Sequence, residues 1–231
     1  MSVLQQAGLS SRFGRAPRMM LLAIAIFLSL SACSTGSLFD SDTPVPASYV
    51  LAPAPPAQDL GAPVPADVSV SRPDLAAGLD SDRIAVLNGR KLDYYRRVRW
   101  GTRAVEMIQN LVVDSLEDQH LFRSVTPEQA RVAGDYVLDL QVRDFQAEYV
   151  DGANKPIVHV ALVGRLIRII DRELVTTVTS DARVDAQDNR MTAVAAAFEA
   201  AAHQAILEMG QQTVDAVKQD QSALEAFASK D

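Results

Sequence analysis

The single cysteine of the chain, Cys33, is the residue with the clearest chemistry. It follows Leu30-Ser31-Ala32, and a leucine and two small residues before a cysteine match the lipobox of bacterial lipoproteins. The match predicts that Cys33 is lipidated through a thioether and becomes the first residue of the mature chain. The alternative is an ordinary signal peptide whose cleavage site lies beside a buried cysteine.

The residues before Cys33 have the pattern of an export signal. Arg12, Arg15 and Arg18 precede an apolar run of 14 residues, 19–32, and this leader holds no acidic residue. A membrane-spanning helix needs about 20 apolar residues, so the run is too short and indicates a signal peptide over residues 1–32. Ser34 stands where lipoproteins retained at the inner membrane usually carry aspartate. We therefore expect a lipid anchor at the periplasmic face of the outer membrane.

The charge balance restricts the partners of the exported chain. The leader removes three of the 22 basic residues, so residues 33–231 carry 19 basic against 29 acidic side chains, a formal net charge of −10. Nucleic acids are bound through a basic surface, so this balance argues against a nucleic-acid partner. It also argues against broad adhesion to anionic headgroups. No cysteine remains for a disulfide, so stability must come from the core.

No combination of residues indicates catalysis. The three histidines, His120, His159 and His203, are far apart in the sequence and lack the spacing of metal ligands. The sequence contains no Gly-x-Ser-x-Gly motif, no P-loop and no dinucleotide-binding glycine pattern. We therefore predict no catalytic residue, no metal site and no cofactor, and we interpret each histidine as structural.

The densest group of aromatic and basic residues lies on one predicted strand. Tyr, Trp and Arg are enriched among the residues that dominate binding at protein interfaces. One interpretation is a docking edge at which Tyr95, Arg97 and Arg99 contact a partner. The alternative is a strand with Tyr94 and Trp100 on its core face and the arginines on its solvent face.

Proline and alanine dominate the first part of the exported chain. Residues 33–67 include Thr43-Pro44-Val45-Pro46 and Ala52-Pro53-Ala54-Pro55-Pro56, a composition that favours extended conformations and cannot build a core. We interpret this stretch as a spacer, followed by a folded domain over residues 68–220 and a tail over residues 221–231. Tyr49-Val50-Leu51 is a β-prone island within the spacer and the candidate for a first strand.

Hydrophobic periodicity predicts a two-layer fold. Asn88-Gly89 is a hairpin signal between the apolar run 84–87 and the alternating segment 91–100. Apolar residues at helical spacing predict helices over 103–119 and 189–218. This order of elements is typical of an α+β fold with a mainly antiparallel sheet and two helices packed on one of its faces. Alternation between the helices predicts strands at 122–125, 135–149, 157–170 and 174–184.

Several short motifs follow one another in a characteristic order. They are Leu79-Asp80-Ser81-Asp82-Arg83-Ile84-Ala85-Val86, Leu92-Asp93-Tyr94-Tyr95, Arg99-Trp100, Leu111-Val112-Val113-Asp114-Ser115-Leu116, and then Phe122 and Val125. With Tyr49-Val50-Leu51 as an opening strand, the chain resembles the ABC-type transport auxiliary lipoprotein family, to which paraquat-inducible protein C belongs. The resemblance covers residues 47–218.

The resemblance implies an outer-membrane lipoprotein beside an ATP-driven lipid transporter of the mammalian-cell-entry type. The protein would be a non-catalytic contact subunit. Its partners would be the periplasmic substrate-binding subunit of that system and the associated ABC permease and ATPase. The aromatic motif of the family is embedded here in an arginine-rich strand, so we expect partner specificity to differ within the family.

Two other functions are compatible with the same residues. A structural or assembly lipoprotein that partners an outer-membrane β-barrel fits the lipobox and the fold class equally well, because a fold does not determine a function. A periplasmic enzyme has the least support, since no clustered catalytic residues are evident.

Overall fold

The chain forms strands and helices in the order that periodicity predicts. The structure, a computed structural model, describes residues 45–56, 62–150 and 152–229. The predicted signal peptide and Cys33 lie outside the described residues. The strands are β1 Ala47–Tyr49, β2 Val64–Val70, β3 Asp74–Leu75, β4 Ala85–Asn88, β5 Lys91–Tyr94, β6 Val98–Trp100, β7 Phe122–Pro127, β8 Tyr136–Tyr149, β9 Ile157–Arg168 and β10 Leu174–Asp185. The helices are α1 Ala104–Asp118 and α2 Met191–Ala228, with a 3₁₀ turn at Glu128–Ala130.

Strand β8 is the centre of the main sheet. It pairs antiparallel with β9 along its whole length, and β9 pairs antiparallel with β10. The other edge of β8 is shared by β2, β3 and β4, which pair with successive parts of it in parallel. β7 continues the sheet beyond β2 and β5 beyond β4, which gives eight strands. The longest pairings are antiparallel, so the predicted α+β class is confirmed.

A bulge in β8 keeps both halves of this strand facing the core. Leu140 and Val142 are buried on the core face, and the register with β9 shifts between Val142 and Asp144. The shift changes the parity of the alternation, so Phe145 and Ala147 are the next buried apolar residues. The opposite face of the sheet carries the polar residues of β8, β9 and β10.

Both helices pack on the same face of the sheet. α2 lies along β9 and β10, α1 lies on β7, and the two helices contact each other and β2. Gly164 in β9 allows the close approach of α2, because a Cβ there would lie 2.7 Å from Leu138 Cδ1 and 3.3 Å from Met209 Sδ. The predicted arrangement of two helices on one face is therefore confirmed.

Helix α2 is longer than the periodicity predicts. It continues to Ala228, ten residues beyond the predicted end at residue 218, so most of the predicted tail 221–231 is helical. The added residues include alanine, glutamine, glutamate and leucine, which favour helices, and no glycine or proline. Helix α2 therefore continues beyond Val217, its last buried residue, because the residues that follow favour a helix.

The hairpin differs from the prediction in two places. Asn88 pairs with Lys91, so the turn residues are Gly89 and Arg90 instead of the predicted pair Asn88-Gly89, and the positive φ of the turn lies at Gly89, at 60°. The predicted strand 91–100 is broken, because Arg97 adopts the left-handed conformation with a φ of 60°. After this break, β6 leaves the main sheet and pairs in parallel with β1.

Three aromatic rings join the layers of the domain. Trp100 of β6 and Phe198 of α2 meet edge to face with centroids 5.1 Å apart. Phe145 of β8 lies 5.1 Å from Phe198 and 5.8 Å from Trp100. Trp100 and Phe198 are almost fully buried, so Trp100 belongs to the core rather than to a docking surface.

We expect Phe198→Ala to lower the free energy of unfolding by about 3–5 kcal/mol, because it leaves a cavity between Trp100 and Phe145. Urea denaturation measures the loss. The control is Phe227→Ala, since Phe227 is 71% exposed and its removal should change stability by less than about 0.5 kcal/mol. Equal effects of the two substitutions would contradict the proposed core.

Candidate functional site

Tyr95, the first of the predicted docking residues, has a structural position. Its side chain is half-buried, and its hydroxyl shares a hydrogen bond of 3.3 Å with the hydroxyl of Tyr149. Tyr149 in turn hydrogen-bonds Asn189, just before α2. Burial raises the pKa of the Tyr95 phenol far above its ordinary range, and the bond to Tyr149 adds to the effect. Tyr95 therefore links β5, β8 and the start of α2 as a neutral group.

Arg97 and Arg99 lie together on the surface. Arg99 is held by Ser48 Oγ, 3.4 Å from its Nε, and by the carboxylate of Asp82, 3.7 Å away. The Arg97 guanidinium is exposed and has no partner among the described residues. Arg96 is exposed beside it, and we call Arg96, Arg97 and Arg99 the docking edge.

The docking edge lies where the preceding chain joins the domain. β1 runs parallel to β6 with Ala47 opposite Val98, and the Ala47 amide donates to the Arg97 carbonyl at 3.0 Å. Val45 and Pro46 therefore lie beside Arg96 and Arg97. The sequence did not reveal this juxtaposition, because a parallel pairing between segments about 50 residues apart leaves no local pattern.

The proline-rich residues 50–56, which we call the strap, cross both helices. The Ala52 amide donates to the Glu199 carboxylate at 2.8 Å, and His203 Nε2 lies 2.8 Å from the Ala52 carbonyl. Both helical side chains belong to α2, one turn apart. His203 is therefore the residue that binds the strap carbonyl, consistent with its interpretation as structural.

Helix α1 holds the second half of the strap. Ala54 is fully buried, and its amide donates to Ser115 Oγ at 2.9 Å. The Gln119 side-chain amide donates to the Pro55 carbonyl at 2.8 Å. Prolines remove backbone donors and prevent a sheet ladder here, so helical side chains satisfy the remaining backbone groups. Residues 50–56 of the predicted spacer are thus held on the domain, and β2 begins at Val64, before the predicted domain boundary at 68.

A histidine-centred network lies on the polar face of the sheet. His159 is 5% exposed, with Nδ1 2.9 Å from Glu148 and Nε2 2.9 Å from Asp181. Arg183 donates to the other Glu148 oxygen at 2.9 Å. Burial alone would raise the pKa of Glu148, but hydrogen bonds from His159, Gln146 and Arg183 outweigh it, so the pKa lies below its usual value. The network joins β8, β9 and β10.

Part of this network has the donor set of a metal site. Ligand atoms of Asp144, Glu148 and His159 lie within 4.8 Å of one another. The Gln146 amide, however, donates to both carboxylates, at 2.8 Å to Asp144 and 3.0 Å to Glu148. The oxygens that would bind a cation are therefore already satisfied, and the arrangement fits an ion-pair network. Metal-ligand spacing in the sequence could not find this group, because β8 contributes the carboxylates and β9 contributes His159.

The chain matches a family model described as an ABC-type transport auxiliary lipoprotein component over residues 49–210. It resembles the crystal structure of protein XCC0632 from Xanthomonas campestris, described with the family model DUF330, at 27% identity and a TM-score of 0.69, over 75% of this chain and 98% of that one. An uncharacterized protein shares the fold at 13% identity and a TM-score of 0.56, over 72% of this chain and 99% of that one. No curated protein sequence matches the chain.

Within the described residues, no helix combines the length and the apolar character that a membrane crossing requires.

Replacing Ser115 with alanine should loosen the strap. The Ala54 amide would stay buried without an acceptor, which costs about 1–3 kcal/mol. Urea denaturation measures the stability, and limited proteolysis measures cleavage within residues 50–56, which should become faster. Ser222→Ala is the control, because Ser222 is exposed and bonds only within α2. Unchanged proteolysis in Ser115→Ala would show that the bond does not hold the strap.

Glu148 should make the fold sensitive to acid. Because its pKa in the folded protein lies below the ordinary value of 4.5, the ionised carboxylate stabilises the fold above that pH. The contribution is lost as the pH falls through the lower pKa of the folded state. Glu148→Gln should therefore be less stable than the natural protein at pH 7, and the gap should close towards about pH 3.

Urea denaturation at both pH values tests this expectation. Glu225→Gln is the control, since Glu225 is exposed near the end of α2. A stability gap for Glu148→Gln that is the same at neutral and acid pH would contradict the role assigned to the carboxylate.

Proposed function

Because the chain belongs to the family of ABC-type transport auxiliary lipoprotein components, we propose that it is a non-catalytic docking subunit of such a transport system. The system is of the mammalian-cell-entry type and moves lipid between membranes. The partners are its periplasmic substrate-binding subunit and, through it, the ABC permease and ATPase. The family match over residues 49–210 is the observation that carries the proposal.

Membrane attachment in this proposal depends on a lipid at Cys33. Eleven residues, 34–44, separate Cys33 from the first described residue. Fully extended, such a segment reaches about 40 Å. The domain therefore stays close to the periplasmic face of the outer membrane, where Ser34 favours sorting. Several acyl chains on one cysteine would make the attachment durable.

The docking edge is the proposed contact with the periplasmic subunit. Arg97 has no acidic partner among the described residues, Arg96 attracts Asp93 without forming a salt bridge, and the Arg99 ion pair is exposed. Exposed guanidiniums of this kind bind carboxylates at a protein surface through paired hydrogen bonds. Of the three residues predicted to bind a partner, we propose Arg97 and Arg99 as the direct contacts, with Tyr95 holding the preceding chain segment on Tyr149.

A non-catalytic role agrees with the chemistry of the polar clusters. The network around His159 satisfies its donors and acceptors internally, and the Glu199 and His203 side chains bind the strap. These groups act on the fold, and neither cluster needs a cofactor.

A crosslinked pull-down of the tagged, lipidated protein from native envelopes tests the proposal. Mass spectrometry should identify a mammalian-cell-entry subunit together with its permease or ATPase. Recovery of an outer-membrane β-barrel without transport subunits would instead support the assembly lipoprotein, and recovery of neither would overturn both functions.

The double substitution Arg97→Glu with Arg99→Glu should reduce recovery of the periplasmic subunit about tenfold, the effect of losing a strong interface residue. Thermal stability should be unchanged, because exposed ion pairs contribute at most about 1 kcal/mol. The matched control is Arg131→Glu with Arg143→Glu. Both are exposed, and Arg131 has a positive φ of 54°, close to that of Arg97. A parallel fall in stability would show that the docking-edge arginines are structural.

Cys33→Ala should release the protein from membranes, because the acyl chains have no other point of attachment in this proposal. Fractionation of envelopes followed by immunoblotting measures the release. Persistence of the variant in the outer-membrane fraction would contradict anchoring at Cys33.

A further inference from the structure

Exposed apolar side chains cluster at the end of the sheet opposite the docking edge. Ile169, Ile170 and Leu174 flank the β9–β10 turn, with exposed fractions of 39%, 89% and 53%. Leu224 and Phe227 of α2 are 44% and 71% exposed. We call these five residues the distal patch. Contiguous exposed apolar surface of this kind marks an interaction site.

Helix α2 carries its apolar stripe beyond the sheet. Val217 is its last buried residue, and the helix continues to Ala228. Leu224 and Phe227 follow Val217 by seven and ten residues, which places them on the same side of the helix within about 100°. No element among the described residues covers this stripe, so the apolar face at the end of α2 is exposed.

The patch borders a recess that can receive side chains. Between the β9–β10 turn and α2 lies a cavity of about 540 Å³. Its lining combines the apolar side chains of Ile169, Ile170 and Leu224 with polar ones, among them Arg123 and Tyr136. A recess that combines apolar side chains with a few polar groups is typical of a binding groove.

The rim of the patch is acidic. Arg123 binds Asp67 and Asp135, and Arg168 binds three further carboxylates. The five carboxylates of the rim belong to Asp67, Asp135, Asp171, Glu173 and Asp220. The three guanidiniums belong to Arg123, Arg168 and Arg172, so the rim has a net charge of −2.

The negative charge of the rim favours some binding partners of the distal patch over others. A second copy packed symmetrically on the patch would bring two acidic rims together, and an anionic bilayer would be repelled in the same way. A protein segment with apolar side chains flanked by lysine or arginine is attracted instead. The stripe on α2 favours a helix as that segment, because helices pack side by side through apolar ridges and grooves.

We propose that the distal patch binds an amphipathic helix of a protein partner, with its apolar face on Ile170, Leu224 and Phe227 and its basic residues on the acidic rim. Phe198 packs on Trp100, the neighbour of Arg99, and Leu224 lies 26 residues further along α2, so about 40 Å of helix separates the two surfaces. The two surfaces can therefore engage a partner at separate points. That the helix belongs to the periplasmic substrate-binding subunit rests on the proposed function.

Photo-crosslinking in intact cells tests the inference on the full lipidated chain. Benzoylphenylalanine replaces Phe227 in one strain and Leu92, which is near the docking edge, in another. Mass spectrometry then identifies the partner and the crosslinked segment. We expect the Phe227 position to crosslink to a helix with a basic flank in the periplasmic subunit. Ile170→Asn should lower this yield about tenfold, whereas Val150→Asn, 59% exposed just after the far end of β8, should leave it unchanged.

The outcomes separate the two proposals. Crosslinks to transport subunits from position 92 alone would overturn the distal site and support the proposed function. A crosslink from position 227 to a basic amphipathic helix of an unrelated protein, with no transport subunit at either position, would overturn the proposed function only. A crosslinked dimer of the chain, a lipid adduct or no adduct at position 227 would overturn the inference.

Discussion

The packing of α2 on the core face of the sheet is the interaction on which the rest of the structure depends. It requires small residues at the contact, and the helix supplies a row of alanines while β9 supplies Gly164, where a Cβ would lie 3.3 Å from Met209 Sδ of α2. At this short distance Phe198 reaches Trp100 and Phe145, which joins the hairpin region to the main sheet. Dense packing of this kind makes the position of one element sensitive to all the others.

The same helix connects the two surfaces with proposed functions. Near its start, Glu199 and His203 bind the strap that follows β1 at the docking edge. Near its end, Leu224 and Phe227 form part of the distal patch. Helix α2, with 38 residues, therefore extends from the strap to the distal patch.

The fold was largely predictable from local pattern. The bounds of α1 agree within one residue with the predicted helix 103–119, and the long strands agree because their alternation is regular. The failures have physical causes. The hairpin turn lies one residue later because Gly89 takes the positive φ, and the strand after it breaks at Arg97, a residue type that rarely adopts that conformation. The parallel pairings of β2, β3 and β4 with β8 leave no sequence pattern at all.

The sequence by itself determined the family, the α+β class, the proline-rich composition of the strap and the chemistry expected of Cys33, because these depend on residue order and periodicity. Only the tertiary structure decided which side chains meet. It joined Tyr95 to Tyr149, assembled His159 with Glu148 and Asp181 from three strands, and brought α2 beside the β9–β10 turn. Such contacts join residues distant in sequence, and their geometry follows from packing rather than from local propensity.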